Sequence, residues 1–271
     1  MYLEYWGLKE MPFENTSDTR FFYRSAQHEE GLSRLLYVVQ NRKGAAILTG
    51  VFGCGKTIVG RALINSLNKN IYQIAFVTNP HLKAVELLRA VARLLGGENL
   101  PEKLNEMSSD YFLEVIGKIL TNNAKDGKET LVIIDEAHVI TDLEVLEELR
   151  LLLNFQLEDR FLLTLILMGQ PELDERIHKT KQLVQRIALG HHLGPLSEEE
   201  ISEYIKLRLN VAGCGKKIFE DSAIKVIAQN SGGIPRRINQ ICDMSLLTGF
   251  VNKGPSITGD VVSEAVEGLG V

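Results

Sequence analysis

Hydrophobic residues in the first two thirds of the chain fall into short runs that are separated by longer amphipathic stretches. Two runs, Thr130–Ile134 and Phe161–Met168, are apolar without alternation, which is typical of strands that are covered on both faces. Two further strands are predicted at Ala45–Thr49 and Ile71–Val77. Helical spacing of apolar residues predicts helices at Lys56–Leu67, Leu82–Leu95, Met107–Leu120 and Asp142–Phe155. Strands that alternate with helices predict an α/β fold with a parallel β-sheet.

After Gly194-Pro195 the pattern becomes purely helical. Ser197 and Glu200 have the spacing of a capping box, which predicts a helix that runs to about Val211. Further helices are predicted at Ala223–Gln229, at Arg237–Gly249, and from Ile257-Thr258 to Gly268. We therefore predict an α/β core over residues 1–194 and a small all-helical domain over residues 195–271, with a hinge at Gly194-Pro195.

Composition and charge narrow the classes of protein that fit this pattern. The chain has 271 residues, and 45% of them are hydrophobic, which excludes a disordered chain. Its 30 basic and 35 acidic residues give a net charge of −5, so bulk charge does not favour nucleic-acid binding. Three scattered cysteines without a CxxC pair favour a reducing compartment over disulfides or zinc. Because the longest apolar runs are shorter than the roughly 20 residues of a membrane helix, we expect a cytoplasmic protein that reaches a membrane only through a partner.

Residues 50–57 carry the strongest chemical signal. They read Gly-Val-Phe-Gly-Cys-Gly-Lys-Thr and match the pattern G-x-x-x-x-G-K-[ST] in full, between a predicted strand and a predicted helix. Glycines let the backbone curl so that its N–H groups face phosphate oxygens. Lys56 would then reach the β- and γ-phosphates of ATP, and the Thr57 hydroxyl would bind Mg²⁺. The predicted nucleotide-binding residues of this loop are Gly50, Gly53, Cys54, Gly55, Lys56, Thr57 and Ile58.

Polar residues also follow two of the apolar strands. Asp135 and Glu136 come directly after the third predicted strand, where a buried carboxylate is costly unless it is paired. We predict that Asp135 holds Mg²⁺ and that Glu136 polarises the attacking water as a general base. Gln170 follows the next strand and is predicted to hold the γ-phosphate or to position the water. For His138, local packing or hydrogen bonding is favoured over a chemical role.

Two arginines are candidates for contacts with phosphate. Gly232-Gly233-Ile234-Pro235 marks the start of a helix whose first turn holds Arg236 and Arg237. Cations at that end oppose the helix dipole, so an anionic ligand explains them better than stability does, and we favour Arg236 as the contact. Arg186 follows an amphipathic stretch and would matter only if a neighbouring subunit supplied it to the ATP. This role therefore predicts that copies of the chain assemble into a ring or filament when ATP is bound.

In this order, the motifs resemble those of AAA+ ATPases over nearly the whole chain. The resemblance implies a P-loop NTPase core followed by a helical lid, and Mg²⁺-dependent hydrolysis of ATP. It identifies residues 50–57 with Walker A and Asp135-Glu136 with Walker B. The catalytic residues that it implies are Glu136, Gln170 as sensor 1, Arg186 as the arginine finger and Arg236 as sensor 2, which also binds the nucleotide.

A narrower resemblance, to bacterial secretion-type ATPases, begins with the N-terminal residues, and Asp135–His138, Gly169–Leu173 and Leu196–Leu209 fit the same subfamily. Tyr5–Phe13 and Arg20–Tyr23 are similar to the start of the A component of the general secretion pathway, and of its relatives in type IV (including MSHA-type) pilus biogenesis and in exopolysaccharide or exosortase loci. The phosphate loop departs from many relatives at Val51-Phe52, Cys54 and Ile58 without losing a group that binds nucleotide. The resemblance implies a role in assembly or regulation of a secretion, pilus or envelope export system, with a protein of that machinery as partner.

Three other functions compete with this interpretation. The subfamily is also close to transposition ATPases, so the alternative is a DNA-dependent ATPase that selects a transposition target. The sequences Gly-Lys-Thr and Asp-Glu-Ala-His occur together in helicases too, but 271 residues leave no room for two tandem motor domains. Glu136 argues against a nucleotide-binding protein without hydrolysis, because the candidate base is present.

Overall fold

A computed structural model describes residues 2–98, 100–101 and 108–270. Its strands are β1 (Ala45–Gly50), β2 (Tyr72–Val77), β3 (Glu129–Ile134), β4 (Leu163–Gly169) and β5 (Ile187–Leu193). They form one sheet in the order β2-β3-β4-β1-β5, and each neighbouring pair is parallel. The predicted α/β fold with a parallel sheet is therefore confirmed.

Helices precede, connect and follow the strands. They are α1 (Tyr2–Trp6), α2 (Ala26–Gln40), α3 (Lys56–Ser66), α4 (Ala84–Leu94), α5 (Ser109–Lys125), α6 (Leu143–Leu152), α7 (Glu172–Lys179), α8 (Lys181–Val184), α9 (Glu198–Val211), α10 (Asp221–Ser231), α11 (Pro235–Val251) and α12 (Gly259–Gly268). Met107, where one helix was predicted to begin, lies outside the described residues, as do the outer domain bounds Met1 and Val271. Within the described ranges, no helix is both long enough and apolar enough to cross a lipid bilayer.

Local sequence explains where α9 begins. The Ser197 Oγ accepts a hydrogen bond from the Glu200 N–H at 3.2 Å, and the Glu200 carboxylate accepts one from the Ser197 N–H at 3.0 Å. The capping box predicted for α9 is thus confirmed.

In contrast, α2 and β5 are not predicted by the hydrophobic pattern. β5 is an edge strand whose first six residues alternate between half-buried and exposed, so it lacks the continuous apolar run of the central strands.

Contacts between residues of the chain divide the protein into two compact units. The sheet unit consists of Glu29–Phe52 and Val59–Leu193, and the helical unit consists of Met1–His28, Gly53–Ile58 and Gly194–Val271. The predicted domain boundary at residue 194 falls where the chain passes from one unit to the other. The sequence placed all of residues 1–194 in the α/β core. The contacts instead assign Met1–His28 and Gly53–Ile58, which holds the second half of the phosphate loop, to the helical unit. The hinge at Gly194-Pro195 stays a prediction.

Aliphatic and aromatic side chains from strands and helices fill the core of the sheet unit. Every residue of β1 and β4 is buried. Leu88 of α4, Phe112 of α5 and Leu149 of α6 have no exposed surface and join the same apolar cluster as β4. Each such side chain contributes about 1.5–3 kcal/mol when it leaves water, so the sheet and these helices stabilise one another.

Aromatic residues and one buried arginine hold the N-terminal segment within the helical unit. Trp6 is buried and donates its indole N–H to a backbone carbonyl of α11 at 2.9 Å. Phe13 packs edge-on against Phe219, with ring centroids 5.9 Å apart. Arg208 of α9 is 4% exposed and donates to the backbone carbonyl of Glu14 at 3.0 Å. These contacts explain why the segment belongs to the helical unit rather than to the sheet.

A buried hydrogen-bond chain connects α9 to α11. The Arg208 guanidinium donates to the Tyr204 Oη at 2.7 Å, and the Tyr204 hydroxyl donates to the Asn239 Oδ1 at 2.8 Å. Burial raises the pKa of the Tyr204 phenol, so the hydroxyl keeps the proton that it donates. Asn239 in turn donates to the Asn15 Oδ1 at 2.9 Å. The chain therefore fixes α11, the helix whose first turn carries Arg236.

Two glycines with left-handed backbones form the turn between α10 and α11. Gly232 has φ 58° and Gly233 has φ 74°. The Gly233 carbonyl accepts a hydrogen bond from the Leu196 N–H at 2.8 Å, and a Cβ on Gly233 would collide with the backbone carbonyl of Leu196. A Cβ on Gly232 would meet nothing within 4 Å. The segment that follows Gly194-Pro195 is thus docked against the turn at Gly233 and not at Gly232.

We expect Gly233→Ala to destabilise the protein by about 3 kcal/mol and Gly232→Ala by only about 1 kcal/mol. Both variants place a Cβ on a left-handed backbone, but only the first displaces the backbone at Leu196. Urea unfolding followed by circular dichroism would measure both losses. Equal losses would contradict the docking of this segment on Gly233.

Candidate active site

The carboxyl edge of the sheet gathers the polar residues that follow its strands. Thr49 of β1 is opposite Gly169 of β4, and Ile134 of β3 is opposite Leu167 of β4. Gly50, Asp135 and Gln170 therefore come at the same ends of three adjacent strands. The structure brings these residues of the sheet unit together, as expected of parallel strands.

Asp135 and Glu136 occupy a tight turn beyond β3. Asp135 is 3% exposed, its N–H donates to the Val77 carbonyl at 2.8 Å, and its Oδ1 accepts the Glu136 N–H at 2.9 Å. Glu136 has a left-handed backbone with φ 53° and ψ 30°, a strained conformation for a residue other than glycine. Its side chain is 36% exposed. The turn thus buries one carboxylate and leaves the next within reach of water.

Gln170 and His138 lie beside this carboxylate pair. The Gln170 Nε2 is 2.8 Å from the His138 Nε2. The His138 Nδ1 is 3.3 Å from the Glu136 Oε2, although the groups are not aligned as a hydrogen bond. The local hydrogen bonding that the sequence favoured for His138 is therefore present.

The second half of the phosphate loop packs against the start of α11 within the helical unit. The Gly53 carbonyl accepts a hydrogen bond from the Arg236 N–H at 3.2 Å. Gly53 has φ 83°, and a Cβ there would lie 2.7 Å from the Cβ of Arg236. Only glycine permits this approach. Two segments predicted to bind nucleotide, which are far apart in the sequence, therefore meet at Gly53 and Arg236.

A buried histidine that was not predicted supports the phosphate loop. His28 is 4% exposed, and its Nε2 lies 2.9 Å from the Cys54 carbonyl. Because a carbonyl only accepts, the Nε2 must donate, and the Nδ1 faces the Ser25 Oγ at 2.6 Å. A Cβ on Gly55 would lie 2.9 Å from the same Nε2. No sequence signal could have placed His28 there, because it precedes Cys54 by 26 residues and belongs to no motif.

The side chains at the start of α3 have the chemistry that a nucleotide with Mg²⁺ requires. Lys56 is 4% exposed, whereas Thr57 and Ile58 are half-buried. Among the residues that the structure describes, no three His, Cys, Asp or Glu side chains cluster as a metal site. Mg²⁺ does not need such a cage, because it takes one or two protein oxygens together with phosphates and water. The Thr57 hydroxyl and the Asp135 carboxylate are donors of that kind.

Arg186 lies at the opposite edge of the sheet from Asp135 and Gln170. Its carbonyl accepts the N–H of Ala45, the first residue of β1, at 3.1 Å. Its guanidinium lies 5.8 Å from the centre of the Phe161 ring. A strand of six or seven residues separates the two edges by about 20 Å. Within the sheet unit, Arg186 is therefore apart from the other predicted catalytic residues.

Comparisons with known proteins show the family to which the chain belongs. Residues 39–177, just over half of the chain, match a family model described as an AAA domain. The chain belongs to the AAA+ family. This AAA+ chain is 37% identical to general secretion pathway protein A of Aeromonas hydrophila over 275 residues, which cover 100% of the chain and 49% of that protein. It thus spans about half the length of that relative, and the resemblance to the secretion-type subfamily is confirmed.

Two further proteins extend the comparison. The AAA+ chain is 25% identical to ORC1-type DNA replication protein 1 of Halobacterium salinarum over 260 residues, which cover 90% of the chain and 78% of that protein. The Aeropyrum pernix ORC2 protein, solved as ADPNP-ADP complexes, superposes with a TM-score of 0.72 at 17% identity, over 96% of this chain and 71% of that one. At 17% identity, the likeness to ORC2 concerns the fold alone. It confirms an AAA+ core with a helical C-terminal region.

We expect His28→Ala to weaken the binding of a fluorescent ATP analogue to this AAA+ protein about fivefold, because the loss of the hydrogen bond to the Cys54 carbonyl costs about 1 kcal/mol. His28→Gln is the control, since its amide nitrogen can replace the Nε2 donor. Fluorescence titration measures both dissociation constants. Wild-type affinity in His28→Ala would show that the loop does not depend on this bond.

Proposed function

We propose that this AAA+ protein hydrolyses ATP to assist the assembly or regulation of a bacterial secretion, pilus or envelope export system. The observation that carries the hydrolytic part is the turn beyond β3, where the buried carboxylate of Asp135 precedes the accessible carboxylate of Glu136. The identity of 37% to general secretion pathway protein A supports the secretion part. We expect the protein to act from the cytoplasm and to reach the inner membrane through a protein of that system.

The phosphate loop is the proposed binding site for the triphosphate. Backbone N–H groups of residues 50–57 and the N-terminus of α3 face the phosphate oxygens, and Lys56 offsets their negative charge. Thr57 and Asp135 would hold Mg²⁺, which when bound neutralises charge on the β- and γ-phosphates. The side chain of Arg236 contacts phosphate from the start of α11, next to Gly53.

Glu136 supplies the proposed general base. Its carboxylate accepts a proton from water while the water oxygen attacks the γ-phosphorus, and the bond from that phosphorus to the β–γ bridging oxygen breaks. The products are ADP and inorganic phosphate. The Gln170 amide donates to a γ-phosphate oxygen and offsets the charge that develops in the transition state.

Glu136→Gln keeps the shape of the side chain but cannot accept the proton. We expect ATP affinity to stay unchanged and turnover to fall by about 10²–10⁴-fold, as measured by nucleotide titration and phosphate release. Lys56→Ala serves as the matched variant that should lose nucleotide binding. Wild-type turnover in Glu136→Gln would refute the assignment of the base.

The alternative function is a DNA-dependent ATPase that selects a transposition target. The relative described as an ORC1-type DNA replication protein favours a nucleic-acid partner. The ATP-loaded Glu136→Gln protein separates the two functions. Binding to duplex DNA that weakens steeply with salt would support the alternative, whereas co-purification with a secretion or pilus protein, without binding to DNA, would support the first function.

We propose that Arg186 acts on the ATP of a neighbouring subunit in a ring or filament. Its position at the amino edge of the sheet, about 20 Å from the strand ends that carry Asp135 and Gln170, supports a role in trans. Arg186→Ala should therefore bind ATP normally and lose about 10³-fold or more in turnover.

Mixing two inactive variants tests the role in trans directly. Arg186→Ala retains Glu136, and Glu136→Gln retains Arg186, so a mixed assembly contains complete sites at some of its interfaces. We expect the mixture to regain turnover that neither variant has alone, with a rate that rises with protein concentration. A mixture as inactive as its components would contradict the assignment.

A further inference from the structure

One imidazole lies between the proposed general base and the residue proposed to contact the γ-phosphate. The side chain of His138 is 14% exposed and lies in the 3₁₀ turn Ala137–Val139. Its Nε2 is 2.8 Å from the Gln170 Nε2, and its Nδ1 is 3.3 Å from the Glu136 Oε2. All three side chains belong to the sheet unit, and we call them the Glu136–His138–Gln170 relay.

The contact with Gln170 determines which ring nitrogen carries the proton. An amide nitrogen only donates, so the His138 Nε2 must accept and the proton of the neutral ring must be on Nδ1. If the Gln170 amide were turned so that its oxygen faced His138, the neutral ring would have to carry its proton on Nε2. The lone pair of Nδ1 would then face the Glu136 carboxylate. Because two acceptors in contact repel, the arrangement with Nδ1–H toward Glu136 is favoured.

The Nδ1 position is poised to direct the carboxylate of Glu136. Within the described part of the chain, the buried Nδ1 of His138 has no hydrogen-bond partner, and the carboxylate that faces it is only 3.3 Å away. The left-handed backbone of Glu136 restricts the directions that its side chain can take. A hydrogen bond from Nδ1–H to this carboxylate would hold Glu136 in one orientation.

We propose that His138 is a positioning residue that couples the orientation of Gln170 to that of Glu136. The Gln170 amide carries two hydrogens, one directed to His138 and one available for a phosphate oxygen. When the γ-phosphate holds the amide, the Nε2 of His138 stays an acceptor and Nδ1–H keeps the carboxylate aligned for the attacking water. The relay transmits orientation and transfers no proton. This inference rests on the proposed hydrolysis of ATP.

Two matched substitutions each break one of the two contacts of His138, with Gln170 or with Glu136. His138→Asn places an amide nitrogen near the position of Nδ1 and lacks the group at Nε2, whereas His138→Gln does the reverse. We expect each variant to lower kcat about 10- to 100-fold, with ATP affinity within twofold of wild type and an unchanged Tm. Wild-type kcat in either variant, or losses that follow a lower Tm or a weaker affinity, would overturn the relay.

The double variant Gln170→Ala with His138→Gln tests whether the two residues act together. If they do, His138→Gln lowers kcat by no more than about twofold in the Gln170→Ala background, because the coupling is already broken. If the two residues act independently, the losses of the single variants multiply. Multiplied losses would overturn the proposal.

A spectroscopic measurement decides the inference without reference to turnover. In the full ¹⁵N-labelled chain, the ring nitrogens of His138 are assigned by their loss in His138→Asn. The relay predicts the Nδ1–H form in the wild type and an increased Nε2–H population in Gln170→Ala. A wild-type ring protonated on Nε2 would overturn the relay. If the wild type released no more phosphate than Lys56→Ala, the proposed function would fail instead, while the ring protonation would still decide the relay.

Discussion

Parallel pairing of β3, β4 and β1 is the constraint on which the candidate site depends. Each strand is buried by apolar packing, and parallel registration brings all their carboxyl ends to the same edge. Residues that are far apart in the chain, such as Gly50, Asp135 and Gln170, therefore follow adjacent strands. The apolar core thus does more than stabilise the fold, because it also sets the spacing from which nucleotide chemistry can arise.

Beyond the strands, the backbone needs other partners for its polar groups, and the functional side chains lie among those partners. The Cys54 carbonyl of the phosphate loop accepts from His28, the Gly53 carbonyl accepts from the backbone of Arg236, and Asp135 accepts from the turn that contains Glu136. A buried carbonyl or N–H without a partner is costly. These hydrogen bonds therefore also fix the shape of the phosphate loop in the helical unit and of the Asp135-Glu136 turn in the sheet unit.

The topology also explains why Arg186 lies away from the strand ends that carry Asp135 and Gln170. Arg186 precedes β5, and β5 runs parallel to β1, so the arginine must lie at the amino edge. An arginine at that edge is about 20 Å from its own strand ends, which is why we propose that it acts on the site of a neighbouring subunit. Strand direction thus supports the proposed assembly. The proposed relay from Gln170 to Glu136 would couple phosphate contact to the base within each subunit.

Sequence alone determined the features that depend on neighbouring residues: the phosphate loop at residues 50–57, the Asp135-Glu136 pair, the capping box of α9 and the buried central strands. Their geometry follows from glycine torsions, capping groups and hydrophobic period, which are local properties. Only the tertiary structure decided that β5 completes the sheet, that the N-terminal segment packs in the helical unit, that His28 supports the phosphate loop and that His138 lies between Glu136 and Gln170. These features depend on contacts with partners elsewhere in the chain or around a turn, which no local pattern of hydrophobic and polar residues encodes.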